Sequence, residues 1–127
     1  MKEKQRLPES ELDLMLAVWG LGEGATAPAI LERLERPLTA SALHSYLKRL
    51  EEKGFLRCEK VGKVNRYTPL VSRAAYERQE SRSILGKLYQ GSLKRFAASL
   101  YDGGGLDRNE VAELRAYLEE LERKEGE

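Results

Sequence analysis

The spacing of the apolar residues changes twice along the chain, and this change constrains the fold more than any other feature. Up to residue 54, apolar side chains recur every three or four positions, which is typical of amphipathic helices. Residues 56–61 and 64–69 then read as two extended segments around a short turn, which is typical of a β-hairpin. The helical spacing returns from Ser72 onward. The chain is therefore predicted to contain three helices, a hairpin and three more helices.

Capping residues predict where these elements begin and end. Ser10, Thr26 and Thr39 are N-cap candidates because a short hydroxyl side chain accepts a hydrogen bond from first-turn backbone N–H groups. Gly54 follows the third helix where a positive φ is common, and Gly62-Lys63 is the expected hairpin turn.

The C-terminal helices are marked by glycines and by a second capping signal. One helix is expected over residues 72–89, and Gly91 separates it from a shorter one. A loop follows at residues 103–105, which are all glycine. Asp107 and Glu110 have the spacing of a capping box and predict the start of the last helix.

Three short helices closed by a hairpin are the layout of a winged helix-turn-helix. We therefore predict a mainly α fold with a small β-hairpin: a winged-helix domain at residues 1–71 and a helical dimerisation domain at residues 72–127. The tail is too thin to bury its own apolar stripes, so we favour packing against a second copy over packing on the winged helix in cis. The expected dimerisation residues are Leu85, Leu88, Tyr89, Leu93, Phe96, Leu100, Val111, Leu114, Leu118 and Leu121.

The composition limits the class of protein. No apolar run approaches the ~20 residues that span a bilayer, and the polar segment Met1–Arg6 does not resemble a secretory signal, so we expect a cytoplasmic protein. Cys58 is the only cysteine, which leaves no internal disulfide and no metal-site spacing. No cofactor is predicted.

The net charge of +1 conceals an uneven distribution. Residues 36–66 carry eight Lys or Arg against three Asp or Glu, whereas residues 102–127 carry four against nine. Screening limits the reach of a charge to ~10 Å, so a basic segment between acidic ends can still bind a polyanion. This pattern allows nucleic-acid binding without requiring it.

The third helix is the candidate reading element. On a helical wheel its apolar residues occupy one side, and Ser41, Ser45 and Lys48 cluster opposite them, flanked by His44 and Arg49. Small hydroxyl side chains allow a close approach to base edges, and the cations suit phosphates. The alternative is an ordinary solvated face, because charged outer faces are common on helices.

The hairpin carries cations around its turn, at Lys60, Lys63 and Arg66. Such a tip can lie along the sugar-phosphate backbone or enter the minor groove, although lysines also protect exposed strand edges. The DNA-binding residues predicted from both elements are Thr39, Ser41, Ala42, His44, Ser45, Lys48, Arg49, Lys60, Lys63 and Arg66.

An enzymatic role has little support. His44 is the only histidine, and no third residue is in place to orient a Cys58–His44 nucleophile pair. We expect a small core or half-buried position for Cys58, a groove-edge contact for His44 and a core position for Trp19. The protein is predicted not to be an enzyme.

Four segments together resemble the penicillinase-repressor (BlaI/MecI/CopY) family over nearly the whole chain. They are residues 10–15 (SELDLM) with Trp19, residues 47–56 (LKRLEEKGFL), Gly62-Lys63 with residues 66–69 (RYTP), and residues 88–93 (LYQGSL). The resemblance implies a winged helix that binds a dyad operator, a C-terminal dimerisation domain, and repression of target genes.

The chain also departs from the family pattern. The copper-responsive branch ends in paired Cys-x-Cys motifs that are absent from this sequence. The β-lactam branch is inactivated by a regulatory protease that cleaves between Asn and Phe, where this chain has Ser99-Leu100. Residues Ala40, Ser41 and Ala42 differ from the usual start of the recognition helix, which implies a different operator.

We therefore predict a homodimeric transcriptional repressor that binds double-stranded operator DNA in a sequence-specific manner. The alternative is a winged-helix module whose third helix and hairpin bind a partner protein, which would make DNA binding insensitive to sequence.

Overall fold

The computed structural model describes residues 6–126. Residues 1–5 and 127 lie outside the described part. The expectation of no secretory signal rests on Met1–Arg6, most of which is therefore outside the described residues. The chain forms two compact units, Met1–Ser81 and Arg82–Glu127. In chain order the elements are α1 (Glu9–Leu21), β1 (Ala25–Thr26), α2 (Ala27–Arg33), α3 (Ala40–Glu52), β2 (Leu56–Val61), β3 (Val64–Pro69), α4 (Arg73–Tyr89), α5 (Leu93–Asp102) and α6 (Arg108–Glu125).

The predicted fold class is confirmed: the protein is mainly α with a small sheet, and its first unit is a winged helix. β2 and β3 form the expected hairpin, in which Cys58 pairs with Tyr67 and Val61 pairs with Val64. The two-residue strand β1 adds to the other side of β3, which gives the antiparallel order β1-β3-β2.

Two of the three predicted N-caps are confirmed. The Thr26 hydroxyl accepts a hydrogen bond from the Ala29 N–H at 3.3 Å, and the Thr39 hydroxyl accepts one from the Ala42 N–H at 3.1 Å. The prediction for Ser10 is wrong, because α1 already begins at Glu9 and no side chain caps it. Pro8 precedes the helix, and its carbonyl accepts the first intrahelical bond.

The end of α3 is a Schellman turn. Gly54 has φ +84°, as predicted for this position, and its N–H donates to the Glu51 carbonyl at 3.0 Å. The Phe55 N–H donates to the Leu50 carbonyl at 2.9 Å, which is the second bond of the motif. The turn leads directly into β2 and sets the direction of the hairpin relative to α3.

The core of the first unit gathers one face from each element. Leu14, Met15 and Val18 of α1 lie against Ile30 of α2 and against the inner face of α3. The fully buried or nearly buried α3 side chains are Leu43, Leu47 and Leu50. The apolar face predicted for the third helix is therefore the face that packs inward.

Aromatic side chains join α4 to this core. The Phe55 and Tyr76 ring centroids lie 5.7 Å apart, edge to face, and Trp19 packs 5.9 Å from Tyr76. The Trp19 indole N–H donates to the Val71 carbonyl, and the buried Tyr76 hydroxyl accepts from the Leu7 N–H at 2.8 Å. Trp19 therefore packs against the core, as predicted.

One ion pair of the first unit has an almost fully buried carboxylate. This carboxylate, from Glu11, accepts a hydrogen bond from the Lys53 ammonium at 2.7 Å. The pair joins the first turn of α1 to the end of α3. Since a buried charge is costly without a partner, Lys53 stabilises α3 in its position against α1.

The second unit has the predicted helices but no interior of its own. The Ser92 hydroxyl caps α5, and Asp107 and Glu110 form the expected capping box of α6. Among residues 82–126, none is buried. Within the described residues, no helix is long and apolar enough to cross a membrane.

We expect Lys53→Met to lower the free energy of unfolding by about 3 kcal/mol, because it leaves the Glu11 carboxylate buried without its partner. Urea titration followed by circular dichroism measures this change. The control is Arg73→Met, which breaks the exposed Arg73–Glu77 pair and should cost less than about 0.5 kcal/mol. Equal losses in both variants would contradict the structural role of the buried pair.

Candidate nucleic-acid interface

The outer face of α3 is made of small hydroxyl side chains and cations. Ser41, Ser45 and Lys48 are exposed on the side opposite the buried leucines, and Thr39, at the N-cap, is exposed as well. Ala42 is half-buried at the edge of this face. The structure thus brings the predicted residues of the third helix together on one accessible surface.

Two further predicted residues flank this surface. His44 is exposed. The Arg49 guanidinium carbon lies 5.7 Å from the centroid of the Tyr46 ring, a cation–π contact that restricts the Arg49 side chain. Restricting the side chain beforehand reduces the conformational entropy that a phosphate contact would cost.

The hairpin places alternate residues of each strand on two opposite faces. Cross-strand partners share a face, and successive residues alternate, so Lys60 and Asn65 lie on the face of Cys58 and Tyr67. Val61 and Val64 lie on the opposite face. The turn between them has Gly62 at φ +67°, the positive φ that a type II′ turn requires at its first central position.

The cations of the α3 face and the hairpin turn are available to an anion. Lys48, Lys60 and Lys63 are exposed, and none of them forms an ion pair within the part of the chain that the structure describes. A lysine without an ion-pair partner, beside a helix that can fit the major groove, is suited to neutralising the charge of a DNA phosphate.

Arg66 has a structural contact that the sequence did not indicate. It pairs in register with Glu59 and Thr26, and its guanidinium donates to the Gly24 carbonyl at 2.9 Å. This bond uses one of five N–H donors and holds the loop before β1 on the hairpin. The contact of Arg66 with phosphate stays a prediction.

The base of the hairpin is buried beside α3. Burial, together with the nearby Cys58 thiol and Glu51 carboxylate, raises the pKa of Tyr67 to about 12. Tyr67 therefore stays neutral at any physiological pH. Cys58 is half-buried in this contact, as predicted. The strand pairing of Tyr67 with Cys58 keeps both side chains on the face of the hairpin that meets the core.

The predicted dimerisation residues lie on the surface of the second unit. Leu85 and Tyr89 are half-buried, and Tyr89 packs edge to face on Phe96 with a centroid distance of 5.3 Å. The remaining predicted residues are exposed: Leu88, Leu93, Phe96, Leu100, Val111, Leu114, Leu118 and Leu121. Tyr101 is also exposed, and its amphipathic side chain makes it a further candidate for this interface. Tyr117 is an exposed large side chain of the same unit that the prediction did not include.

Ser99 and Leu100, the residues at the position of the family's regulatory cleavage, lie within α5 and are exposed. The Ser99 carbonyl accepts a hydrogen bond from the Gly103 N–H at 3.1 Å at the end of that helix. Because Ser99-Leu100 replaces the Asn-Phe pair of the β-lactam branch, the sequence argues against the same cleavage at this position.

Sequence reasoning missed β1 and the contacts around it. A strand of two residues is too short to show an alternating pattern in the sequence. The Gly24 N–H donates a hydrogen bond to the Thr68 hydroxyl, which lies far away in the chain. Gly24 has a positive φ of +73°. The only feature of the sequence that could have indicated it is the glycine-rich stretch before Thr26.

Comparison with known proteins identifies the family of the chain. The family model described as penicillinase repressor matches residues 7–120. A penicillinase repressor of Bacillus licheniformis is 30% identical over 129 residues, which cover 100% of this chain and 100% of that protein. The methicillin resistance regulatory protein MecI of Mammaliicoccus sciuri is 25% identical over 114 residues, which cover 88% of this chain and 92% of that protein.

Among solved structures, a mutant form of ZitR from Lactococcus lactis is similar with a TM-score of 0.44 at 14% identity, covering 98% of this chain and 80% of that one. Since the family match spans most of the sequence and the Bacillus relative aligns along its full length, the protein belongs to the penicillinase repressor family, whose members are transcriptional repressors and not enzymes.

Proposed function

We propose that the protein is a sequence-specific DNA-binding repressor that acts as a homodimer on a dyad operator. α3 enters the major groove, where Ser41 and Ser45 contact base edges and Lys48 and Arg49 contact phosphates. The hairpin contacts the neighbouring backbone through Lys60 and Lys63. Such a protein acts where the DNA is, which in a bacterial cell is the cytoplasm.

One observation supports the DNA contact above all others. The exposed face of α3 combines small hydroxyl side chains with Lys48, and the adjoining hairpin adds Lys60 and Lys63; none of the three lysines forms an ion pair with any residue of the range 6–126. A surface that bound a protein would be expected to carry aromatic or aliphatic anchors in the place of these serines. Glu52 is exposed towards the end of α3, so base reading is assigned to the N-terminal half of the helix, as in other helix-turn-helix proteins.

The homodimer is supported by the apolar surface of the second unit. In α6, Val111, Leu114, Leu118 and Leu121 recur at intervals of three and four residues, and all four are exposed. This is the a/d spacing of helices that pack on one another. A helix stripe of this kind is stable in water only when a partner covers it, and a second copy supplies an equal stripe.

The two units also suggest how the tasks are divided. We assign DNA binding to residues 1–71 and dimerisation to residues 72–127. The first compact unit extends ten residues beyond this boundary, to Ser81 in α4. Tyr76 of α4 belongs to the core of the first unit, so any dissection of the chain needs to retain it.

The direct test of the proposal is selection from a library of randomised DNA duplexes with the full-length protein. The expected outcome is enrichment of one motif made of two inverted half-sites about 10 base pairs apart, or a multiple of that spacing. Retention of DNA without an enriched motif would instead favour the alternative of a protein-interaction module.

On the enriched duplex, we expect Ser45→Ala to weaken binding by about fivefold per half-site, because one hydrogen bond to a base edge is lost. Binding to a scrambled duplex should be unchanged. Lys63→Ala should weaken binding to both duplexes alike and reduce the slope of log affinity against log salt by about 1 per hairpin. Fluorescence anisotropy over a range of salt concentrations measures both quantities.

The matched control for Ser45→Ala is Ser81→Ala, an exposed serine on α4 that should change neither affinity. A Ser45→Ala variant that lost affinity for the scrambled duplex to the same extent would show that α3 is not the reading helix.

We expect Leu118→Asp to convert the dimer to a monomer, because a carboxylate would be buried in the apolar interface without a partner. Ala116→Asp is the control, since residue 116 lies about 180° from the centre of the α6 stripe on a helical wheel. Sedimentation analysis gives the mass of each variant. The monomer should also bind the enriched duplex ~10²–10⁴-fold more weakly, because its two half-site contacts are no longer linked. A dimeric Leu118→Asp variant would exclude α6 from the interface.

A further inference from the structure

A cavity lies in the first unit between α1 and the segment that joins α2 to α3. Its volume is about 380 Å³, which is within the range of protein pockets that hold small molecules. One wall is a single face of α1, on which Glu9, Asp13 and Leu16 follow one another at the spacing of successive helical turns. The other wall is the end of α2 with the residues after it, up to Leu38, which lead directly into α3.

Part of the cavity is apolar. Leu16, Leu34 and Leu38 all line it. Leu16 is 38% exposed, and Leu34 and Leu38 are half-buried. Some of the surface of each leucine is therefore in contact with water, and a ligand with an apolar group would be stabilised by covering it.

Two of the charged side chains at the cavity already have contacts. Arg36 forms an ion pair with Glu9 at 3.4 Å. The Arg33 guanidinium donates to the Gly20 carbonyl at 3.4 Å, and a Cβ on Gly20 would come within 3.0 Å of that guanidinium. Arg33 thus lies directly against the backbone of α1, at a position where only glycine leaves space for it.

Asp13 has no such contact. It is half-buried, and its carboxylate forms no ion pair within the described part of the chain. Since the Glu9–Arg36 pair is neutral, the other charges at the cavity are the carboxylates of Asp13 and Glu35 and the Arg33 guanidinium, which sum to −1. A partly buried carboxylate without a counter-ion is stabilised when a cation binds beside it.

We propose that this cavity binds a small organic cation, a primary amine that carries a short aliphatic chain. The ammonium group donates to the Asp13 carboxylate, and the chain packs on Leu16, Leu34 and Leu38. Asp13 and Leu16 are three residues apart on α1, a rise of about 4.5 Å, so a chain of about six carbons extends from the carboxylate across the leucines. The proposal does not depend on DNA binding by α3.

The opposite charge fits the cavity less well. Arg36 would have to leave Glu9 to bind an anion, and the Asp13 carboxylate would repel that anion. An uncharged ligand would fill the apolar part but would leave Asp13 without a partner.

The test is calorimetric titration of the full-length protein with three probes that share one chain length: hexylamine, 1-hexanol and hexanoate. We expect hexylamine to bind about tenfold more tightly than 1-hexanol, because it adds a charge-assisted hydrogen bond to Asp13. Hexanoate should bind more weakly than 1-hexanol.

Substitutions assign the two parts of the cavity. Asp13→Asn keeps the shape of the side chain and removes its charge, so hexylamine should bind this variant about tenfold more weakly. The control is Glu32→Gln, an exposed carboxylate of α2 that does not line the cavity, and it should leave the affinity unchanged. Leu16→Gln should weaken hexylamine and 1-hexanol alike, because it removes apolar surface and no charge. Thermal unfolding without a probe checks that each variant is folded.

Nuclear magnetic resonance of the backbone amides locates the bound probe. Hexylamine should shift the signals of residues 9–17 and 33–38, and shifts confined to other residues would overturn the proposal. The same conclusion would follow from equal affinities for hexylamine and 1-hexanol, from tighter binding of hexanoate, from no detectable binding of hexylamine, or from wild-type affinity in Asp13→Asn.

Discussion

The position of α3 relative to the hairpin depends on the burial of one ring, that of Phe55. Its backbone N–H closes the Schellman turn at the end of α3, and its carbonyl accepts a hydrogen bond from the Leu70 N–H at 2.8 Å, where the hairpin ends. Its side chain is fully buried against Tyr76 of α4. One residue thus connects the helix, both ends of the hairpin and α4. The Glu11–Lys53 pair adds a second constraint at the same end of α3.

The order of elements could be predicted from the sequence because each one carries a local signal. Alternation in residues 56–61, the glycine at 54 and the Asp107–Glu110 spacing are all read within a few positions, and each is realised in the structure. Ser10 failed as a cap because Pro8 fits immediately before a helix, and its carbonyl already accepts the first bond. Residue type alone could not decide whether α1 begins after Pro8 or after Ser10.

Contacts between residues that are far apart in the chain could not be predicted from the sequence. The exposed face of α3 followed from helical periodicity, so the hydroxyl and lysine residues of the candidate interface could be identified early. The bond from Arg66 to the Gly24 carbonyl could not, because it joins residues 42 positions apart through a strand of two residues. The exposure of Val61 and Val64 at the end of the hairpin could not be predicted either, because it depends on how the hairpin packs on the core.

The two faces of α3 have separate tasks, and this separation bears on how such a protein can evolve. Leu43, Leu47 and Leu50 hold the helix in the core, whereas Ser41 and Ser45 are exposed on the opposite side. Substitutions at the exposed positions leave the packed side chains unchanged and should cost little stability. With α3 as the proposed reading helix, a lineage of such repressors could acquire new operators by changing a few surface residues of one helix, while the fold that presents them would remain under separate selection.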